Sequence, residues 1–169
     1  MTALAQIPVG VLVDRIKADS QWIDYTWQPS AVLVGQPETE NWTRISGDAE
    51  RTTFYAGSAL IELHRSSTAY YRDNLAGDCV LWVILSPTGA EPPYQLFGVT
   101  ADPTEGEGLT EAGSHVIECV AMPPQIRDVV EAFIAEHHVE QPFFKRKRDR
   151  ADPEALGRRA PDVKNEPKS

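Results

Sequence analysis

Cysteine is scarce in this chain. Among its 169 residues only Cys79 and Cys119 occur, far apart in the sequence. Zinc ribbons and redox dithiol motifs need close-spaced cysteine pairs, so the sequence supports neither. Both cysteines lie in apolar, strand-like runs. We therefore predict two buried free thiols that pack as small hydrophobic side chains.

Long apolar runs are also missing. None approaches the ~20 residues that a membrane-spanning helix requires. Residues 1–10 lack the basic region and the long apolar stretch of a secretory signal. We therefore expect no membrane span and a cytoplasmic location.

The sequence has no motif for nucleotide or metal binding. Gly106 and Gly108 are closely spaced, but the acidic residues around them would repel a phosphate, and residues 102–108 are predicted to form an acidic loop. The carboxylates of this loop lack the ordered spacing of a calcium site. Adjacent helical side chains such as His137 and His138 point about 100° apart, so they do not suit one metal ion. We predict no catalytic residue, no cofactor and no metal.

Basic residues are few until near the C-terminus. Residues 1–144 contain seven Lys or Arg against twenty Asp or Glu, a formal charge of −13. Residues 145–169 contain nine against five, a formal charge of +4. The apolar and aromatic residues needed for a core also end at about Phe144. We therefore predict a folded domain over residues 1–144 and a basic, disordered tail over residues 145–169.

Most of the predicted domain shows the patterns of β-strands. Apolar residues at alternate positions in Ile7–Ile16 indicate a half-buried strand, and the continuous apolar run Cys79–Leu85 indicates a central strand. The predicted strands are residues 7–16, 22–34, 42–45, 52–64, 79–85, 94–101 and 115–120. Residues 66–75 are expected to form a short helical or irregular connection.

One helix is predicted, beginning at Pro123-Pro124, because prolines are tolerated in the first helical turn. The apolar residues that share one stripe of this helix are Ile126, Val129, Val130, Phe133 and Ile134. The predicted fold class is α+β and mainly β. We expect an antiparallel sheet, as a meander, a sandwich or a partly open barrel, with the C-terminal helix packed on it.

Aromatic residues are dense in the first quarter of the chain, where Trp22, Tyr25, Trp27 and Trp42 occur. Aromatic side chains on one face of a strand form either core or a binding platform. Core packing is the more common outcome, and the sequence leaves both open.

A basic run follows the predicted helix. It comprises Phe143, Phe144, Lys145, Arg146, Lys147, Arg148 and Arg150. Such a run can be a solvated tail, a nucleic-acid contact or a docking segment for a protein. The charge of −13 in residues 1–144 opposes approach to a polyanion, so nucleic acid is disfavoured. The aromatic pair beside cations favours a protein partner, because interfaces combine apolar anchors with a charged rim.

Five segments together resemble a bacterial family of unknown function. They are Ile7-Pro8-Val9-Gly10-Val11, Trp22-Ile23-Asp24-Tyr25-Thr26-Trp27, Tyr71-Arg72-Asp73-Asn74-Leu75, Val99-Thr100-Ala101-Asp102-Pro103 and Glu136–Arg148. The resemblance runs from Ile7 to about Arg159 and is most specific in the last segment. It implies a role beside molybdenum-dependent formate dehydrogenase and its maturation factors, because genes of that family tend to lie next to theirs. It supplies no catalytic residues.

Members of that family are sometimes labelled molybdopterin-guanine dinucleotide biosynthesis proteins. A nucleotidyltransferase of that kind needs an α/β pattern with a glycine-rich loop after the first strand. Here Ile7–Arg15 runs into Lys17-Ala18-Asp19 without such a loop. The label therefore does not fit this chain.

Two functions from different classes follow. The first is a non-catalytic accessory protein that uses the basic run to dock on a formate dehydrogenase subunit or a maturation factor. The second is a protein of the same pathway, an enzyme included, that handles a small molecule or cofactor in a pocket. His64, Tyr71, Arg72 and Asp73 are the candidate pocket residues. Their convergence in a concave, partly apolar cleft would favour the second function.

Overall fold

The computed structural model of the chain describes residues 3–111 and 114–139. In chain order its elements are β1 (Ala5–Lys17), β2 (Tyr25–Val34), β3 (Thr43–Gly47), β4 (Arg51–Leu63), a 3-10 turn (Arg65–Ser67), α1 (Thr68–Ala76), β5 (Val80–Pro87), β6 (Tyr94–Thr100), α2 (Pro103–Glu111), β7 (Val116–Ala121) and α3 (Pro124–His137). The predicted mainly β, antiparallel fold class is confirmed. Helix α1 lies in the segment that was expected to be helical or irregular, and α2 was not predicted. One compact unit ends at His138, and the predicted boundary after residue 144 lies outside the described residues.

The first sheet is antiparallel, with the strand order β2-β1-β4-β3. The long strand β1 lies between β2 and β4 and pairs with β4 from Ala5 opposite Leu63 to Ile16 opposite Arg51. Valines at alternate positions of β1 are fully buried, as the period of a half-buried strand predicts. The pairing of β1 with β4 shifts register once, which marks a bulge in β4.

The second sheet is also antiparallel and has the order β6-β5-β7. Its central strand β5 points Leu81, Val83 and Leu85 into a core shared with the first sheet. Strand β6 runs beside β4, and β7 runs beside β2. Among the described residues no ladder of hydrogen bonds joins these neighbours, so the two sheets are separate and open. We call the line where β4 and β6 meet the seam.

Helix α3 packs on the core through the predicted stripe. Ile126, Val130 and Phe133 are buried, whereas Val129 is largely exposed. The ring of Phe133 meets the ring of Tyr71 from α1 edge-on, with 6.2 Å between centroids. Within the described ranges, no helix combines the length and the apolarity needed to cross a membrane.

The prediction of an acidic loop at residues 102–108 was wrong, because most of this segment lies in helix α2. The carboxylate of Asp102 accepts hydrogen bonds from the backbone N–H and the hydroxyl of Thr104, at 2.9 and 2.7 Å. Pro103 occupies the first helical position, so the helix start is capped. Gly106 lies against Trp82, where a Cβ would meet the indole ring at 2.5 Å. The glycine that indicated a loop instead permits close packing of helix on sheet.

Two smaller predictions also differ from the structure. Strand β2 begins at Tyr25, so Trp22 and Ile23 lie in the turn between β1 and β2, outside the strand predicted for them. Both cysteines are free, but only Cys79 is partly buried and Cys119 is exposed. Cys119 lies on the edge strand β7, where fewer neighbours cover a side chain than on a central strand.

Candidate functional site

The main candidate site is a hollow of about 170 Å³ at the seam. We call it the seam hollow. One wall consists of Leu60 and Glu62 of β4 and of His64, which follows β4 directly. The other lining residues are 97–100 of β6, Glu105 and Leu109 of α2, and Ile84 of β5. The strand period explains the first wall. Ile61 and Leu63 point into the core, so the residues that alternate with them point outward into the hollow.

His64 is the central polar residue of the seam hollow. Its Nε2 lies 3.5 Å from Oε1 of Glu62. Its backbone N–H donates to the hydroxyl of Tyr71 at 2.9 Å, which ties the end of β4 to α1. Its Nδ1 is buried, and no described residue offers that atom a hydrogen bond. Buried polar atoms are usually paired, so this nitrogen is an exception among the polar groups of the site.

Glu105 forms the opposite wall and is held in place by β6. The hydroxyl of Thr100 donates to Oε1 of Glu105 at 2.6 Å. The same hydroxyl oxygen accepts the backbone N–H of Asp102 at 3.0 Å. The start of α2 therefore positions one carboxylate of the hollow before any ligand binds.

A second, more open hollow of about 430 Å³ adjoins the first, and we call it the loop hollow. His64 and Glu105 line both hollows, and Ser66, Ser67, Tyr71 and Asp102 complete the loop hollow. Burial raises the pKa of the Tyr71 hydroxyl above its usual value of 10.0. At neutral pH this hydroxyl is therefore a neutral hydrogen-bonding group.

The structure brings together two of the four predicted pocket residues. His64 and Tyr71 line the loop hollow. Arg72 is exposed and lines a separate hollow of about 400 Å³ between α1 and α3. Asp73 is also exposed and lines none of these three hollows. The predicted partner-binding residues Phe143 to Arg148 and Arg150 lie outside the described residues.

The turn between β1 and β2 carries a second candidate surface. Trp22 is 85% exposed, and Ile23 and Tyr25 beside it are also exposed. We call these three residues the hairpin tip. The guanidinium of Arg15 lies 4.4 Å from the ring centroid of Tyr25 and 5.3 Å from that of Phe54, in a cation–π arrangement.

The aromatic residues of the first quarter therefore divide between core and surface. Trp27 and Trp42 are partly buried against the core, with their ring centroids 5.7 Å apart and nearly perpendicular. Trp22 and Tyr25 are exposed. Core packing is thus confirmed for Trp27 and Trp42, whereas a binding role of Trp22 and Tyr25 stays a prediction.

The hairpin tip and the seam hollow lie at opposite ends of the first sheet. Strand β4 begins at Arg51, which pairs with Ile16 next to the turn, and it ends just before His64. Its 13 residues, at about 3.3 Å each, span roughly 40 Å. The two surfaces are therefore separate sites.

Of the residues that line the seam hollow the sequence prediction named only His64, and those it missed include Leu60, Glu62, Phe97 and Glu105. The first two carried a signal, because they alternate with buried residues of β4. Glu105 belonged to a segment predicted as a loop. Among the described residues, no group of three His, Cys, Asp or Glu side chains is arranged to hold a metal ion.

Comparison with known proteins places the chain at the level of a family. The model of the family described as Protein of unknown function (DUF3305) matches residues 8–148. No curated protein and no solved structure matches the chain. The family match covers most of the 169 residues, including both candidate surfaces. The chain therefore belongs to this family of proteins of unknown function.

Proposed function

We propose that this protein is a non-catalytic accessory factor that docks on another protein during maturation or assembly of molybdenum-dependent formate dehydrogenase. The observation that carries the docking role is the exposed hairpin tip. Trp22, Ile23 and Tyr25 present apolar and aromatic surface together, with Trp22 85% exposed. Trp, Tyr and Arg concentrate binding energy in protein interfaces, and contiguous apolar surface usually marks an interaction site.

Arg15 supports the same role. Its guanidinium is stacked on Tyr25 and Phe54, so it is positioned before a partner arrives. A side chain that is already ordered loses less conformational entropy on binding. The hairpin tip thus combines a protruding anchor with a preorganised cation.

The identity of the partner comes from the resemblance to the bacterial family encoded beside formate dehydrogenase. The segment Trp22–Trp27, which contains the hairpin tip, is one of the five segments that carry that resemblance. In this proposal the basic run Phe143–Arg148 supplies a further contact, with aromatic anchors and cations that the acidic residues 1–144 do not offer.

The test is an affinity purification from the native host grown under conditions that induce formate dehydrogenase. Four tagged forms are compared: the full chain, Trp22→Ser with Ile23→Ser, Val34→Ser, and a chain truncated after Gln141. Val34 is a matched control because it is an exposed apolar residue of the same hairpin, away from the tip. We expect formate dehydrogenase subunits or maturation factors with the full chain and with Val34→Ser, and their loss with the other two forms. Recovery of none of these proteins with any form would reject the proposal.

A second candidate function is handling of a small molecule or cofactor of the same pathway. The loop hollow favours it, because its volume of about 430 Å³ lies within the ~300–1,000 Å³ typical of ligand pockets. His64 and the hydroxyl of Tyr71 both line it. Native mass spectrometry of protein purified from the host tests this function. A compound of defined mass that remains bound to Val34→Ser but not to His64→Ala would support it, and protein without any bound compound would count against it.

A further inference from the structure

We propose that the seam hollow binds the cationic side chain of a lysine or arginine from a partner polypeptide. The charge enters between Glu62 and Glu105, and the apolar stem packs on Leu60 and Phe97. The inference rests on the proposed docking role only in taking the occupant to be a polypeptide. It concerns a surface roughly 40 Å from the hairpin tip, by the length of β4.

Size is the first argument. The hollow has a volume of about 170 Å³, below the ~300 Å³ at which pockets begin to enclose small-molecule ligands and cofactors. A single long side chain needs less room than such a ligand. The seam hollow therefore suits one side chain better than a cofactor.

Charge is the second argument. Two carboxylates, Glu62 and Glu105, line the hollow, and no Lys or Arg is among its lining residues in the described part of the chain. The buried residues Ile84 and Val99 also line it and are apolar, whereas Glu62 and Glu105 are exposed, so their attraction to a cation is that of surface charges that act together. The formal charge of −13 over residues 1–144 attracts a basic segment from a distance.

The apolar rim is the third argument. Leu60 of β4 and Phe97 of β6 are 45% and 57% exposed and line the same hollow from different sheets. The ring of Phe97 meets the imidazole of His115 at 4.9 Å, nearly edge-on, which restricts its orientation. Lysine and arginine have apolar stems below their charges, and an aromatic face adds cation–π attraction. Apolar rim and acidic walls therefore match the two parts of such a side chain.

The first experiment is a ¹⁵N-¹H nuclear magnetic resonance titration of the full chain with N-acetyl-arginine amide. The uncharged comparison ligand is N-acetyl-norleucine amide. We expect saturable shifts of the backbone amides of residues 60–64 and 97–105 with the arginine derivative, at millimolar concentration, and none with the norleucine derivative. Absence of shifts, shifts elsewhere, or equal shifts with both ligands would overturn the proposal.

Variants test the role of the carboxylates. Glu62→Gln with Glu105→Gln should raise the dissociation constant of the arginine derivative at least ~10-fold, because both charge-assisted contacts are lost. Glu118→Gln with Glu136→Gln changes the net charge equally, and both residues are exposed and line neither hollow of the site. That control should leave the constant within about twofold. Equal weakening by both double variants would mean that only net charge matters, which would overturn the site.

A photocrosslinking amino acid at position 97, introduced in host cells, tests the polypeptide source. We expect a crosslinked partner peptide that contains Lys or Arg near the attachment point, and crosslinks only to peptides without either would overturn the inference.

Failure of the proposed docking role can be told apart from failure of this inference. If Trp22→Ser with Ile23→Ser leaves partner capture intact while arginine binding at the seam persists, the hairpin-tip proposal fails and this inference stands. Capture that depends on Trp22, with no arginine binding at the seam, rejects this inference alone.

Discussion

Gly106 of α2 lies against the indole of Trp82 on β5, so close that a Cβ at position 106 would fall 2.5 Å from the ring. The contact seats the helix that carries Glu105 onto the second sheet. Alanine in place of a helical glycine ordinarily stabilises by about 0.5–1 kcal/mol. Here overpacking costs about 1–3 kcal/mol, so we expect Gly106→Ala to lower the free energy of unfolding by about 1–2 kcal/mol.

Gly108 of the same helix is the matched control. A Cβ at position 108 would meet no atom within 4 Å, so Gly108→Ala should raise the free energy of unfolding by up to about 1 kcal/mol. Urea unfolding of both variants measures whether each substitution raises or lowers the free energy of unfolding. A Gly106→Ala variant as stable as Gly108→Ala would show that α2 does not rest on Trp82.

Asn74 of α1 links three elements and is buried. Its amide nitrogen donates to the carbonyl oxygens of Val80 at 2.8 Å and Ala101 at 3.1 Å, and its Oδ1 accepts the N–H of Val80 at 3.1 Å. Asn74→Asp replaces a donor by an acceptor that faces two carbonyl oxygens. We expect a loss of about 2–4 kcal/mol in the free energy of unfolding, by urea titration at pH 7.

The Asn74→Asp loss should shrink at low pH, where a protonated carboxyl regains one donor. Exposed Asp73 on the same helix is the control position, and Asp73→Asn should change stability by less than about 0.5 kcal/mol. A mild effect of Asn74→Asp at pH 7 would contradict the hydrogen-bond network.

Tyr71 should make the stability of the domain sensitive to alkaline pH. Burial raises the pKa of its hydroxyl in the folded chain above the usual 10.0, so the folded state prefers the protonated form. The stabilisation that the protonated hydroxyl gives the folded state is complete below about pH 10 and is lost as the pH rises through the folded pKa. Tyr71→Phe removes it. The difference in unfolding free energy between the natural chain and Tyr71→Phe should therefore fall as the pH rises above about 10.

At neutral pH the same variant leaves the backbone N–H of His64 without its acceptor, at a cost of about 1–3 kcal/mol. Tyr70→Phe serves as the control, since Tyr70 is exposed on the same helix. If the two phenylalanine variants show the same dependence on pH, burial of the Tyr71 hydroxyl is not the cause.

Cys119 should react slowly with alkylating agents although it is exposed. Desolvation, followed by the charges of Glu118, Asp78 and Glu107, raises the pKa of its thiol above the usual 9.0. Less thiolate is then present at pH 8, and the thiolate is the nucleophile. In a Cys79→Ser background, iodoacetamide should modify the thiol more slowly than a cysteine in a short neutral peptide. Glu118→Gln should increase the rate, and a rate at or above that of the peptide would contradict the raised pKa.

The local patterns of the sequence determined most of the secondary structure. Alternating valines predicted β1, the run Cys79–Leu85 predicted β5, and the apolar stripe after Pro123-Pro124 predicted α3. These signals depend only on neighbours along the chain, because one buried face imposes its own period. Helix α2 was not predicted, because Gly106 indicated a loop. The structure instead explains this glycine by its close contact with Trp82, which is distant in sequence.

The candidate site was decided by tertiary structure. The seam hollow joins Glu62 of β4, Thr100 of β6 and Glu105 of α2, which no local period connects. Of the predicted pocket residues, His64 and Tyr71 meet because the chain turns directly from β4 into α1. Arg72 points to another hollow because adjacent helical side chains point about 100° apart. Composition determined that residues 1–144 are acidic, whereas only the packing of two sheets and a helix placed Glu62 and Glu105 on one hollow.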